Sequence, residues 1–154
     1  MLHVLTTSFI LLLSFTLQAQ TANRHDVVIS ELMPDPVPSA GLPAEEYIEL
    51  RNVSPTAFPL SGWKISNGRS VALIAGTFVL QPDSVLILCA TVNVPLFSSF
   101  GRTLGVSNFP ALDNDAGVIS LVSRQGRTID AVAYTKEWYK NSIKSAGGWS
   151  LEII

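Results

Sequence analysis

From Asp26 onward the apolar residues recur with a period of two, and a helical period is nearly absent. Alternation of this kind marks half-buried β-strands. Asp26–Met33 is rich in Val and Ile and stops at Pro34-Asp35-Pro36. In Tyr47-Ile48-Glu49-Leu50-Arg51, Ile48 and Leu50 fall on one face and Glu49 and Arg51 on the other. Trp63–Ile65, Val71–Ala75 and Phe78–Leu80 are short apolar pieces, interrupted by Ser66-Asn67-Gly68 and closed by Gln81-Pro82-Asp83. Val85–Ala90 is continuously apolar, the pattern of a central strand covered on both faces. Gly117–Val122 and Thr128–Tyr134 flank Ser123-Arg124-Gln125-Gly126, a hairpin turn by composition, and Ser150–Ile154 is the last strand-like piece. Turn signals roughly every eight to twelve residues are the spacing of a sandwich or barrel rather than of βα units. The predicted class is all-β, an immunoglobulin-like β-sandwich of about seven to nine short strands. Only Thr91–Leu112 breaks the rhythm, and there Pro95–Phe100 predicts a single helical turn.

The first twenty residues follow a different pattern, with no Asp, Glu, Lys or Arg. Their apolar stretch, about fourteen residues, is shorter than the ~20 that an α-helix needs to cross a bilayer. It suits the apolar region of a secretory signal peptide. Residues 1–20 are therefore expected to be a leader, cleaved after Ala19 or Gln20, and the domain proper to run over 26–154. The expected location is outside the cell or on its surface, with no membrane span after cleavage. In such an oxidising compartment the single cysteine, Cys89, is read as a small buried hydrophobe, since it lies within the apolar run Val85–Ala90.

Composition narrows the chemistry. The chain has 154 residues, 10 basic and 12 acidic side chains, a net charge of -2, two histidines and one cysteine. That excludes a disulfide framework and a zinc cluster, and the scattered basic residues argue against nucleic acid as a partner. After cleavage only His25 remains, beside the new terminus, where a rigidly oriented catalytic imidazole is rarely found. No Gly-x-Ser-x-Gly, P-loop or His-Glu-x-x-His motif occurs.

The segment Glu46-Tyr47-Ile48-Glu49-Leu50-Arg51-Asn52-Val53-Ser54, followed by Phe58-Pro59-Leu60-Ser61-Gly62-Trp63-Lys64-Ile65-Ser66, resembles the lamin-tail domain. Other pieces are similar to that family in the same order: Ile29–Leu32, Leu80 with Val85–Leu88, Leu112–Gly117, Asp130–Tyr134 and Gly148–Glu152. The Pro-rich first loop, with Gly41-Leu42-Pro43, resembles the version in secreted bacterial proteins. The resemblance covers Asp26–Ile154. It implies an immunoglobulin-like sandwich used as an interaction module, without catalytic residues. In bacterial relatives it often accompanies nuclease, phosphatase or other hydrolase domains, or surface-attachment modules. Independently of that likeness, Trp63 after Gly62 reads as core packing, and Asn52 as a side chain that bonds the backbone of a turn.

The expected function is a secreted, non-catalytic module acting on a protein or cell-surface partner through an exposed sheet edge or the Pro-rich acidic loop. The rival expectation is an accessory domain of a larger secreted hydrolase. Because the chain ends on the apolar Leu151-Glu152-Ile153-Ile154, a fragment truncated at its C-terminal end is expected. No cofactor is expected. Ca²⁺ is the one ion with oxygen donors to hand, and Asp35, Glu45, Glu46, Asp113 and Asp115 are weak candidates on loops that read as solvated turns. Alternation places Glu31 on the same face as Val27, Ile29 and Met33, an apolar neighbourhood, so an Arg, a Lys or backbone N–H groups are expected to meet its carboxylate. Lys136, Lys140 and Lys144 around Trp138 and Tyr139 offer a small basic-aromatic surface, for nucleic acid or carbohydrate, or else a solvated loop or one helical turn.

Overall fold

The computed structural model describes residues 21–153, so the expected signal peptide and Ile154 lie outside the described residues. The strands are β1 (Val27–Met33), β2 (Tyr47–Asn52), β3 (Phe58–Pro59), β4 (Lys64–Ser66), β5 (Val71–Leu73), β6 (Val79–Leu80), β7 (Val85–Ala90), β8 (Thr103–Val106), β9 (Ala116–Val122), β10 (Thr128–Thr135) and β11 (Leu151–Glu152). The nine apolar pieces read from the sequence all form strands, with ends shifted by a residue or two. Two more join them, making eleven among the described residues rather than seven to nine. β3 is two residues long and contains Pro59, and β8 lies inside the irregular stretch. Neither carries enough alternation to announce a strand. The single helical turn is α1 (Val94–Phe97), with a proline in its first turn as helix starts favour.

The result is a mostly β-strand fold of mixed-sheet topology. A five-stranded sheet runs β11-β1-β2-β7-β8, a four-stranded sheet runs β10-β9-β4-β5, and β3 pairs with β6. β7 and β8 are parallel, whereas the other ladders are antiparallel. The parallel pair follows from the connection. The chain leaves β7 through a 3-10 turn at Thr91–Asn93 and α1, then returns in the same direction. Gly105 of β8 permits this return, because a Cβ there would lie 2.7 Å from the Thr91 Cα.

Both larger sheets feed one core. Val27, Ile29, Leu32, Ile48, Leu50, Leu86 and Leu88 from the first meet Ile65, Ala72, Ile119, Leu121 and Val132 from the second. Trp63 is buried there, 6.1 Å from the Phe58 ring centroid, as expected for packing. Asn52 is fully buried and fully bonded. Its Nδ2 donates to the Thr56 carbonyl (2.6 Å) and the Leu80 carbonyl (3.1 Å). Its Oδ1 accepts from the Ser54 N–H (3.0 Å) and hydroxyl (2.9 Å). One side chain thus ties the turn after β2 to β6.

β7 is covered on both faces. Leu86 and Leu88 enter the main core, while Ile87 and Cys89 join Met33, Tyr47 and Phe97 in a second cluster on the outer face. Cys89 is inaccessible to solvent, and burial pushes its thiol pKa up to about 11, with the Glu45 charge adding to the effect. The placement of Glu31 needs correction. The register of β1 against β2 shifts between Ile29 and Glu31, a bulge that transposes every later side chain. Leu32, not Glu31, therefore follows Ile29 into the core, and Glu31 shares the outer face with Met33. Its Oε1 accepts the Tyr47 hydroxyl at 2.6 Å, so the partner is a phenol rather than an Arg, Lys or backbone N–H.

Candidate functional site

The Pro-rich loop between β1 and β2 crosses the outer face of the five-stranded sheet and reaches both edges. Leu42 packs on the second cluster. Pro36, Glu45 and Glu46 line an open groove of ≈ 600 Å³ beside Ala90 and Val106, at the β7–β8 edge. Ala40 and Leu42 line a pocket of ≈ 540 Å³ at the opposite, β1–β11 edge.

The oxygen donors considered for Ca²⁺ are spread over the molecule. Glu45 accepts the Asn93 Nδ2–H at 2.7 Å. Glu46 accepts the Leu112 N–H at 3.1 Å; burial raises its pKa above the ordinary carboxylate value, this bond opposes the rise, and the Glu45 charge adds to it. The carbonyl of Asp35 accepts the Gly148 N–H at 2.7 Å. Asp113 faces Arg69 at 3.5 Å, and Asp115 pairs with Lys136 at 2.6 Å. Among the described residues, no group of three or more His, Cys, Asp or Glu side chains could hold a metal ion. The acidic loop therefore works as a set of individual tethers. Glu45 anchors the turn after β7, and Glu46 anchors the approach to β9.

The basic-aromatic segment divides in two. Lys136–Tyr139 forms a 3-10 turn, capped at its start by the Thr135 side chain, which accepts the Glu137 N–H. Lys136 turns away to Asp115. Lys140 ends the turn in a left-handed conformation at φ 47° and is exposed. Trp138 and Tyr139 face the pocket at the β11 edge, together with Lys144, Trp149 and the carboxylates of Glu31 and Glu152. Trp138 is 44% exposed and Trp149 40% exposed. The Tyr139 hydroxyl donates to the Trp149 carbonyl and fixes the two ends of the loop to each other. The Lys144 ammonium lies 4.7 Å from the Trp149 ring centroid. Of the five residues singled out from the sequence, Trp138, Tyr139 and Lys144 meet in the pocket, and Lys136 and Lys140 lie outside it. Trp149 and the two glutamates complete it instead. Trp149 was visible only as part of a closing motif, and nothing local links it to Trp138 across the intervening loop.

Gly147 and Gly148 bring this loop against the Pro-rich one. Both have positive φ (108° and 80°), and a Cβ on either would overlap the Val37 or Pro38 carbonyl. The pocket is therefore walled by two loops held at close range.

His25 is oriented after all, though not for catalysis. Its Nδ1 lies 3.2 Å from Asp130 Oδ1, but its side chain is 58% exposed and, among the described residues, no serine or cysteine bonds to it. Asp130 is buried and accepts the Ile29 N–H (2.8 Å) and Ala131 N–H (2.9 Å), joining β10 to the bulged part of β1. Ala22 is buried in the main core, so the short segment before β1 is an integral part of the packing.

Among the described residues no helix is long and apolar enough to cross a membrane, which says nothing of β-barrels. No curated protein matches the chain. The family described as Lamin Tail Domain matches residues 20–136, more than half of the chain. Trp138, Tyr139, Lys144 and Trp149 lie beyond that span.

Proposed function

The chain belongs to the lamin tail domain family, whose members are non-catalytic modules, and from that premise we propose that it is a secreted interaction module with its contact surface at the β11 edge. The observation that carries this reading is the pair of half-exposed tryptophans, Trp138 and Trp149, on one pocket. Large aromatic side chains left partly open to water are uncommon away from contact surfaces, where they supply area at little entropic cost. The uncharged residues 1–20 support a cleaved leader and an extracellular or cell-surface location. The Pro-rich loop supports a bacterial setting, by its likeness to secreted bacterial relatives. Two sheets sharing one core support an immunoglobulin-like sandwich over residues 26–154.

Expression of the full chain in a bacterial host tests the leader. Mass spectrometry of the exported protein should show an N-terminus at Gln20 or Thr21, and full-length protein retained inside the cells would overturn it. For the surface, the purified protein is sedimented with isolated bacterial envelopes. Trp149→Ala should reduce sedimentation by about tenfold, as for an interface anchor, with an unchanged melting temperature. Equal sedimentation of Trp149→Ala and wild type would remove the pocket from the reading.

A further inference from the structure

The chemistry of the β11-edge pocket is more specific than a general aromatic contact. Its walls carry three aromatic rings, Trp138, Tyr139 and Trp149. Glu31 and Glu152 sit directly opposite each other in the β1–β11 ladder. Like charges in that position oppose strand pairing. Among the described residues, neither glutamate forms a salt bridge with a lysine or arginine. The neutral Tyr47 hydroxyl is the one hydrogen-bond partner of the Glu31 side chain among the described residues. Among the described residues lining the pocket, the one cation is the Lys144 ammonium, and it rests on the Trp149 face instead of pairing with a carboxylate. Two glutamates against one lysine, among the described residues, leave an excess of negative charge beside the half-exposed Trp138 and Trp149.

We propose that this pocket binds a quaternary ammonium group of the choline class, received by the aromatic side chains of Trp138 and Trp149 and balanced by Glu31 and Glu152. Ring quadrupoles attract cations, and a methylated cation gains apolar burial without needing hydrogen-bond acceptors. Lys144 is then the resident competitor: its ammonium occupies one of the two faces that a ligand would use. This role separates the proposal from recognition of an anionic or hydroxylated ligand, for which the same lysine would be a donor. The inference rests on the reading of the pocket as the contact surface, and it adds the class of ligand.

The test is tryptophan emission of the purified protein, titrated with choline chloride against sodium chloride at matched ionic strength. Choline should give a saturable change that sodium does not. Lys144→Ala should tighten choline binding by about fivefold, and Glu31→Gln, which keeps an acceptor for Tyr47, should weaken it by about fivefold. Trp149→Ala should abolish the response. Phosphatidylcholine vesicles that sediment the protein identify a headgroup as the source, and a response to free choline alone identifies a soluble ligand; either result supports the proposal. Absence of a saturable choline response in both wild type and Lys144→Ala overturns it, as does weaker binding in Lys144→Ala. If Trp149→Ala abolishes envelope binding while choline has no effect, the ligand class is wrong and the contact surface stands. If Trp149→Ala leaves envelope binding intact, the surface itself is wrong.

Discussion

Asn52 shows how one residue type can report its own role. An amide at a strand end has two donors and two acceptor positions, and here each group finds protein partners in full burial. Asn52→Ala leaves the Ser54 N–H and the Thr56 and Leu80 carbonyls without that partner. Urea unfolding should show a loss of about 2 kcal/mol. Cys89 is the opposite kind of residue, polar by formula and apolar by situation. With its pKa raised to about 11 by burial, it should stay unreactive toward a disulfide reagent at pH 8, then react once per chain in denaturant. Glu46 carries a pH dependence of predictable sign. Burial raises its pKa in the folded state, so the folded chain holds this proton more tightly than the unfolded chain. The favourable contribution is complete below the unfolded carboxylate value and is lost as pH rises through the folded one. Glu46→Gln keeps an acceptor for the Leu112 N–H and removes the charge. Measured against wild type, the stability of this variant should therefore improve as pH rises through the raised carboxylate value. The roles of Asn52 and Cys89 were legible in the sequence because turn chemistry and an unbroken apolar run are local. The burial of Glu46 was not, since Leu112 is its hydrogen-bond partner across a long separation.

Among elements, alternation was a sound guide wherever a strand buries one face. It misplaced Glu31 because a bulge interrupts β1 at Ser30, and a single extra residue exchanges the two faces from that point on. Nothing in Val27–Met33 marks that interruption; it is set by pairing with β2. β8 was hidden for a related reason. A short strand containing Gly105, paired in parallel, has no strong pattern of its own and exists because the turn at Thr91 and α1 deliver it to β7. Gly105→Ala should disturb this junction, with the new Cβ 2.7 Å from the Thr91 Cα. The expected cost is about 1–3 kcal/mol by thermal or chemical unfolding, with faster amide exchange in Thr103–Val106 than in β2.

The whole molecule brings charge and topology together. Glu45, Glu46, Asp113 and Asp115 each have a separate partner, and the described residues hold no group of three or more acidic, His or Cys side chains that could bind a metal. Excess chelator should therefore leave the melting temperature unchanged, and a rise on adding Ca²⁺ would contradict this. Duplex DNA at low salt should not bind, given ten basic residues spread from Arg24 to Lys144 and a net charge of -2. The pocket is a product of this scale alone. It joins Glu31 on β1, Trp138 on the turn after β10, and Glu152 on β11.

By itself the sequence determined the β-rich class, nine of the strands, the hairpin at Ser123–Gly126, the core roles of Trp63 and Cys89, and a likeness that the family match supports. These depend on periodicity and turn chemistry, which act over a few residues and are written in consecutive letters. Only the tertiary structure decided the bulge in β1, the parallel β8, the separate tethers of Glu45 and Glu46, and the meeting of Trp138 with Trp149 and the paired glutamates. Each of those depends on register or on loop closure between distant segments, and the energies that set register belong to pairs of strands rather than to either strand alone.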